Sequence, residues 1–313
     1  MANKIDKIYN LLEYVGIRSK SYSHSISAVA YQPDDPLPYY LNQSARASYG
    51  GPFDSSGIPL MHMRQGPAYF PIFIGLYGLG QFEIYRQTSG ADSFVKAESV
   101  ATWFCNNQTD QGTWLTHSPV RKFGLTHPWP SAMGQGLAIS CLTRIYKITG
   151  REQYLARAIK ALNPYRIGFD NGGVAYSESG DIFYDEYPSG KGCHVLNGFI
   201  FALWGLYDLY RICNNPKAKS LYNNGLNTLI KFLPQYDTGY WSLYHIANGL
   251  KNPASIPYHR LHINQLQAMY LISENKIFKQ YALLWERYLN SRFNALQSLP
   301  AKLRWIVANE VLA

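Results

Sequence analysis

The sequence has few cysteines, few charged residues and no long apolar run. Its four cysteines are far apart and form no CxxC pair, which argues against a zinc site or a disulfide framework. No window approaches the roughly 18 consecutive apolar residues of a membrane-spanning helix. The first residues, MANKIDKIYNLLEYVG, contain neither an apolar signal core nor a cleavage-like site. We therefore expect a cytoplasmic protein without a membrane span.

The chain also lacks a basic run, zinc-finger spacing or any other nucleic-acid-binding motif, although its net charge is +9. What it has in abundance is aromatic side chains, with 26 tyrosines and 7 tryptophans among 313 residues. The positive charge favours a polyanionic partner. Aromatic rings with phenol hydroxyls suit the C–H faces and hydroxyl edges of sugars. We therefore expect an acidic polysaccharide as the partner, and no nucleic acid.

Helical periodicity dominates the sequence from Gly66 onward. Eight segments carry apolar residues at helical spacing, and a last helix is predicted over 298–311. The links between these helices alternate strictly between short and long. The short links lie near Ser89–Gly90, Gly150, Asn214–Pro216 and Asn275, and the long links lie at 108–130, 164–193 and 234–257.

Helices that run alternately up and down place alternate links at opposite ends of the fold. All long loops should therefore share one end, which is where a binding cleft is expected. The pattern predicts a mostly α protein, an (α/α) toroid or incomplete α/α barrel with β-hairpin long loops at one end. One such hairpin is GGVAYSES, a Gly-Asp turn and IFYDEY. We expect two units: an N-terminal helix (4–15) with an extended arm over 1–64, and a toroid catalytic domain over 65–313.

The three long loops and the helix starts that follow them should converge at the cleft. They carry a carboxylate pair, phenols, imidazoles and cations, which suit proton chemistry on a bound acidic sugar. Arg121 or Arg260 could clamp a uronate carboxylate through two hydrogen bonds. The candidate residues of the three loops are Trp114, Arg121, Lys122, Trp129 and Gln135; Tyr184, Asp185, Glu186 and Tyr187; and Tyr236, Trp241, Tyr244, His245, Tyr258, His259, Arg260 and His262.

Plainer interpretations stand beside these. A glutamate in a loop is usually a solvated charge, and a single tyrosine is usually structural. His259 and His262 have i,i+3 spacing, but no matching carboxylate motif accompanies them, so no metal site is expected. The glycines of GLYGLG lie within a helical pattern and indicate close helix packing rather than a phosphate loop. Arg46 and Arg64 are interpreted as solvated surface charges.

Seven sequence words give the chain a resemblance to a known family. It resembles the D-glucuronyl C5-epimerases, which convert D-glucuronate to L-iduronate within heparosan and heparan-type polymers. The match covers roughly residues 55–290 with the same order and similar spacing, and it suggests a bacterial-type member with a shorter N-terminal part. The words are GIPL, YFPIFIGLYGL, WPSAMGQGLAIS, FYDEYP, VLNGFIFALWGLYDL, LPQYDTG and YHRLHINQLQ.

The resemblance implies roles for individual residues. Glu186 and Tyr258 match the proton-transferring pair, and Tyr187 and Tyr244 match further active-site tyrosines. The family arginine three residues beyond Tyr244 is Ala247 here, so Arg260 or Arg121 would have to replace it. No cofactor and no metal are implied. The residues expected to bind the substrate are Arg121, Lys122, Trp129, Gln135, Tyr184, Tyr236, His259, Arg260 and His262.

Other functions remain open at this stage. A uronate polysaccharide lyase of toroid fold would begin with the same proton abstraction, and a catalytically silent binder of acidic polysaccharide would need no chemistry. The polymer itself is equally open: heparosan, a chondroitin-like backbone or a bacterial exopolysaccharide with glucuronate all fit. The resemblance also suggests a homodimer, with the helix over 298–311 or the arm over 16–64 at the interface.

Overall fold

The computed structural model describes residues 28–310, apart from residues 64, 65, 127, 191 and 248. The helix expected over 4–15 lies outside these residues. The described part of the chain is mostly helical, as predicted. Its nine α-helices are α1 (Pro71–Thr88), α2 (Ala91–Asn106), α3 (Ala132–Thr149), α4 (Glu152–Lys160), α5 (Leu196–Cys213), α6 (Pro216–Phe232), α7 (Ile256–Ser273), α8 (Lys276–Leu289) and α9 (Arg292–Glu310).

The first eight helices form four hairpins, each joined by a link of two residues. In every link the first residue adopts the left-handed backbone conformation, with φ of 55° at Ser89, 66° at Gly150, 52° at Asn214 and 56° at Glu274. The amide of that residue donates to a carbonyl in the last turn of the preceding helix, which satisfies an otherwise unpaired group. The predicted short links are confirmed, and the long links between hairpins lie at the opposite end.

The helices α1, α3, α5 and α7 are each 18 residues long and pack side by side in that order. Glycines allow their close approach. A Cβ at Gly75 would lie 2.7 Å from Leu137 Cβ, and one at Gly78 would lie 2.6 Å from a Val100 methyl. The expectation that the GLYGLG glycines serve helix packing is confirmed. Closure of this row into a toroid stays a prediction.

Nine short strands form antiparallel pairs in the connections. They are β1 (Met61–Met63), β2 (Gly66–Ala68), β3 (Leu115–Thr116), β4 (Trp129–Pro130), β5 (Ala175–Glu178), β6 (Asp181–Tyr184), β7 (His194–Val195), β8 (Leu243–Ile246) and β9 (Asn252–Pro253). The predicted hairpin is present as β5–β6, and β7, β8 and β9 form a three-stranded sheet.

The turn of the β5–β6 hairpin differs from the prediction by one residue. Ser179 and Gly180 form it, with φ of 52° and 88°, whereas Asp181 pairs with Glu178 in the ladder. A two-residue hairpin of this kind needs a positive φ at both central positions, and Ser179 and Gly180 adopt it. Strand β6 ends at Tyr184, and the acidic residues follow it; the amide of Asp185 still donates to the Val174 carbonyl, next to β5, at 3.0 Å.

Two helix starts also differ from the sequence prediction. Helix α7 begins at Ile256 rather than near residue 260, because Pro257 in its first turn is already fixed at a helical φ. Helix α9 begins at Arg292 rather than 298 and keeps Pro300 in its interior. Tyr258 consequently lies in the first turn of α7 rather than in a loop.

The segment before β1 packs across the tight-turn end of α3 and α5. There the Arg144 guanidinium and the Asp208 carboxylate form a fully buried ion pair, with N–O distances of 2.6 and 3.1 Å. The Tyr40 hydroxyl donates to Asp208 at 2.8 Å, and Arg144 donates to the carbonyls of Leu37 and Pro38. These bonds anchor the segment to the helices. None of the described helices is both long and apolar enough to cross a membrane.

Candidate active site

The carboxylate of Glu186 is buried at the start of α5. Asn197 Nδ2 lies 3.5 Å from Glu186 Oε2, and a Cβ at Gly198 would lie 2.6 Å from Glu186 Cβ. Burial raises the pKa of Glu186 to about 7, against the opposing effects of the Tyr187 hydroxyl, Lys122 and Asn197. The carboxyl is thus poised to accept or release a proton near neutral pH.

A chain of phenols leads away from this carboxyl. The Tyr187 hydroxyl interacts with Glu186 on one side and with the Tyr244 hydroxyl on the other, and these interactions contribute to the pKa shifts of all three groups. The Tyr244 ring meets the Tyr258 ring edge-on, with centroids 4.9 Å apart and planes at 74°. Burial, then the neighbouring negative groups, raise the pKa of Tyr187 and Tyr244 well above 10. The structure thus brings together the four residues that the resemblance implied.

The four residues reach the cluster from three different elements at the long-loop end. Glu186 and Tyr187 follow β6, Tyr244 belongs to β8, and Tyr258 lies in the first turn of α7. The backbone amide of Ala132 donates to the Asp185 carbonyl at 3.0 Å, which ties the acidic segment to the start of α3. The site is therefore built on the ends of three neighbouring inner helices.

An aromatic wall stands behind Tyr187. The Phe123 ring stacks on it with centroids 4.2 Å apart and planes at 24°, and the Trp129 ring lies 5.6 Å away. Trp129 is buried and donates its indole N–H to the Ser118 carbonyl at 3.1 Å. Trp129, which the sequence proposed as a binding residue, thus supports the ring of Tyr187.

Three other predicted binding residues are buried and hold backbone. Gln135 Nε2 donates to the Gly112 carbonyl at 2.9 Å, and the Tyr184 hydroxyl donates to the Leu221 carbonyl at 2.9 Å. The Tyr236 hydroxyl donates to the carbonyl of His194 at 3.0 Å. Each is at most 1% exposed, so these side chains fix the loops rather than face the cleft.

The predicted histidines form a buried network beneath Tyr258. Ser242 Oγ lies 2.7 Å from His259 Nδ1 and 3.0 Å from His262 Nδ1, and His259 Nε2 donates to the Trp285 carbonyl. Burial lowers the pKa of His259 to about 4, so the ring stays neutral. Both imidazoles are fully buried and order the start of α7 rather than the cleft surface.

Asp185, the acidic residue before Glu186, has a separate role. Asp185 Oδ1 lies 2.8 Å from His194 Nδ1, both side chains are buried, and Phe183 stacks on the imidazole at 3.7 Å. Burial raises the pKa of Asp185, against the hydrogen bond from His194. Asp185 thus anchors the strand that precedes α5.

The cations divide into those near the cluster and those away from it. Lys122 acts electrostatically on Glu186, and its ammonium lies 5.3 Å from the Phe123 centroid. Arg121 and Arg260 are exposed on the turn before Phe123 and on α7, and Ala247 is exposed after β8. Of the three predicted cations, Lys122 thus has an electrostatic link to the acid–phenol cluster.

Several residues at the site were not among those predicted. Arg46, half-buried on the 3₁₀ turn Ser44–Ser48, interacts electrostatically with Tyr258. Trp305 of α9 lies 5.8 Å from His245, and Lys302 donates to Asn252 at 2.7 Å. Helix α9 thus packs beside the cleft. Asn197 and Gly198, which contact Glu186 at the start of α5, were not predicted either, although they belong to the sequence word VLNGFIFALWGLYDL.

A metal centre has little support in these residues. Within the described ranges, no group of three or more His, Cys, Asp or Glu side chains could hold a metal ion. The imidazoles at the site are instead engaged with Asp185, Ser242, Asn252 and the Trp285 carbonyl.

Comparison with known proteins identifies the family. The family described as D-glucuronyl C5-epimerase C-terminus matches residues 109–287, more than half of the chain and all three long loops. The chain belongs to this family. A D-glucuronyl C5-epimerase of Caenorhabditis elegans is 37% identical in an alignment of 212 residues that covers 61% of this chain and 34% of that protein. The chain thus spans about a third of the length of this relative.

Two further proteins are similar to this chain. An uncharacterised protein of Methanocaldococcus jannaschii is 28% identical in an alignment of 211 residues that covers 62% of this chain and 68% of that protein. The solved structure of cellobiose 2-epimerase from Bacillus thermoamylovorans superposes with a TM-score of 0.57 at 10% identity. It covers 93% of this chain and 88% of its own, and at this identity the likeness concerns the fold alone.

Proposed function

We propose that this family member is an isomerase that inverts C5 of D-glucuronate to give L-iduronate within a heparosan-like polysaccharide. One observation carries the proposal: a buried carboxyl, with its pKa raised to about 7, lies in one cluster with the three phenols of Tyr187, Tyr244 and Tyr258. An acid–base group at each end of such a cluster is what proton transfer on two faces of one carbon requires.

The chemistry explains why two groups are needed. The C5 hydrogen lies α to the uronate carboxylate, and its removal leaves a dianionic enediolate. On one face, Glu186 takes the proton in its ionised form and returns a proton in its protonated form, and the Tyr258 hydroxyl serves the other face. Inversion follows because the proton leaves from one face and a proton arrives at the opposite one. An inversion that starts at Glu186 leaves Glu186 protonated and Tyr258 ionised; proton exchange with water then restores both groups, so atoms and charge balance over the cycle.

The developing dianion needs positive charge close to the uronate carboxylate. We propose that Lys122 and Arg46 supply it, in place of the family arginine whose position is Ala247. The support is electrostatic: Lys122 acts on Glu186 and Arg46 acts on Tyr258, so the two cations flank the two proposed proton-transfer groups. Tyr187 and Tyr244 are proposed to hold Glu186 and the sugar in position.

A second part of the proposal concerns the fold. We propose that the row α1, α3, α5 and α7 is the inner wall of an incomplete (α/α) toroid, with the substrate in its mouth at the long-loop end. The support is the side-by-side order of the four helices and the placement of Glu186 and Tyr258 at the starts of α5 and α7.

The test is proton NMR of heparosan incubated with the protein in D₂O. The proposal predicts that deuterium enters C5 of glucuronate and that iduronate signals appear. Glu186→Gln removes the ionisable group at nearly constant shape, and it should abolish epimerisation while circular dichroism and heparosan affinity remain unchanged.

The other outcomes contradict the proposal in distinct ways. New alkene signals would mean that the protein is a lyase, which expels the 4-linked sugar after the same proton abstraction. Binding of glucuronate polymers without exchange at C5 in any of heparosan, chondroitin or a glucuronate exopolysaccharide would mean a silent binder. Full epimerisation by Glu186→Gln would remove Glu186 from the mechanism.

A further inference from the structure

A second groove lies outside the acid–phenol cluster. Its volume is about 490 Å³, within the range of ligand-binding clefts. One wall is a single face of α2 that carries Glu98, Thr102, Trp103 and Asn106 at helical spacing. The opposite wall is formed by the loop after residue 53 and by Tyr69. The proposed epimerisation uses none of these residues.

Two aromatic rings line this groove. The Tyr69 and Trp103 rings have centroids 5.4 Å apart with planes at 35°, and Tyr69 is 42% exposed. The Tyr69 hydroxyl donates to Asp54 Oδ2 at 2.7 Å, which fixes the ring at the mouth of the groove. Asp54 Oδ1 in turn accepts from the amides of Ser56 and Ile58 at 2.9 and 2.8 Å. The aromatic surface is therefore held in place rather than freely mobile.

The polar groups of the groove carry little net charge of their own. Glu98 Oε1 accepts hydrogen bonds from Arg151 and, at 3.2 Å, from the Tyr154 hydroxyl. Neither of these two partners donates to the other carboxylate oxygen of Glu98. Arg151 thus neutralises Glu98, and the Asp54 carboxylate remains. A negatively charged sugar would be repelled by Asp54. An uncharged sugar, whose hydroxyls donate to carboxylate oxygens and whose C–H face covers aromatic rings, fits this lining.

The groove is adjacent to the cleft. Tyr69 and Phe70 are consecutive, and Phe70 has extended backbone with φ of −136° and ψ of 104°, so their side chains point to opposite sides. Phe70 lies 6.5 Å from Trp129, which lies 5.6 Å from Tyr187. One segment of chain thus has the groove on one side and the wall of the acid–phenol cluster on the other.

We propose that this groove is a second carbohydrate-binding site, which takes an uncharged pyranose residue on Tyr69 and Trp103. The idea that this residue belongs to the polysaccharide substrate rests on the proposed function; the binding of an uncharged sugar does not. In a polymer where uronate alternates with an uncharged amino sugar, the cleft would take the uronate and the groove an uncharged residue farther along the chain. Long chains would then bind more tightly than short ones.

The experiment is ¹⁹F NMR of protein labelled with 5-fluorotryptophan, which reports on each of the seven tryptophans. Trp103→Phe assigns the Trp103 signal. The probes are the uncharged N-acetylglucosamine trisaccharide and, separately, heparosan. The trisaccharide should shift the Trp103 signal saturably, while the signals of the fully buried Trp204 and Trp285 stay in place. No shift of Trp103 at millimolar trisaccharide, or a shift confined to Trp129, would overturn the proposal.

Variants extend the test to polymer turnover. Trp103→Ala should raise KM for long heparosan about tenfold, with kcat and the KM of a tetrasaccharide unchanged, since one lost aromatic contact of about 1.4 kcal/mol is a factor of ten. Ile148→Ala, which shortens another exposed apolar side chain, is the matched control and should change neither KM. Equal KM values for Trp103→Ala and wild type on long heparosan would contradict the role in polymer binding.

The two proposals fail separately. The trisaccharide titration is repeated with Glu186→Gln, in which the cleft cannot invert C5 but the groove is untouched. A shift of Trp103 without any C5 exchange by wild type would leave the groove standing and refute the epimerase. Exchange at C5 without a shift of the Trp103 signal would support the epimerase and refute the sugar-binding groove.

Discussion

Gly198 is the residue whose substitution tests the geometry of the site most sharply. It is the third residue of α5, and a Cβ built on it would lie 2.6 Å from Glu186 Cβ and 3.1 Å from the Glu186 carboxyl carbon. Ordinary van der Waals contact begins at 3.4 Å. The nearest atom, Glu186 Oε2, is closer still, so Gly198→Ala must displace the carboxylate by about 1 Å to restore contact distance.

The expected magnitude follows from that displacement. A misplacement of about 1 Å costs an enzyme about 10²-fold in rate, so Gly198→Ala should lower kcat for C5 exchange about a hundredfold. Overpacking costs roughly 1–3 kcal/mol of folding free energy, and the better helix propensity of alanine offsets up to about 1 kcal/mol. The variant should therefore fold, with most of its defect in catalysis.

Gly134→Ala is the matched control. Gly134 is the third residue of α3, as Gly198 is of α5, but the nearest atoms to its Cβ position lie at 3.5 Å. The control should keep wild-type exchange and melt no lower than wild type. The assay is deuterium uptake at C5 of heparosan in D₂O, followed by NMR. Wild-type exchange by Gly198→Ala would refute the idea that Glu186 must occupy its observed position.

Three further predictions concern stability. Burial raises the pKa of Glu186 to about 7, so the unfolded chain loses this proton at a lower pH than the folded protein. The free energy of unfolding should therefore fall by up to about 3 kcal/mol as pH rises from about 4.5 to about 7. Denaturant titrations of Glu186→Gln should lack this pH dependence, and the same pH dependence in both proteins would contradict the assigned pKa. Asp208→Asn leaves the Arg144 guanidinium buried beside a neutral group and should cost about 3–5 kcal/mol in urea unfolding; a loss below about 1 kcal/mol would mean that the pair is not structural. Tyr184→Phe loses the bond to the Leu221 carbonyl and should cost about 1 kcal/mol with KM unchanged; a raised KM at unchanged stability would restore Tyr184 as a binding residue.

The alternation of short and long links predicted the helical hairpins well because it depends on local chemistry. Residues such as Gly150 and Asn214 end helices through their own backbone preferences, which a sequence displays directly. The hairpin turn was misplaced by one residue because Ser179–Gly180 and Gly180–Asp181 are both plausible turn pairs, and the register depends on the partner strand.

The candidate site was predicted less evenly. Glu186, Tyr187, Tyr244 and Tyr258 were named through family words, and the structure brings them together. Tyr184 and His259 have the same chemistry, yet they face backbone and core, and residue type alone cannot tell which way a side chain points. Arg46 was interpreted as a surface charge because the sequence does not show that it lies near Tyr258. The two residues are more than 200 positions apart in the chain.

The central claim is that Glu186 and Tyr258 act on opposite faces of C5. It is tested most directly by offering Glu186→Gln and Tyr258→Phe two polymers in D₂O, one with glucuronate and one with iduronate. The account predicts that neither variant inverts C5, that each still exchanges the C5 hydrogen of one epimer, and that the two variants exchange different epimers. Inversion by either variant, or exchange of the same epimer by both, would contradict it.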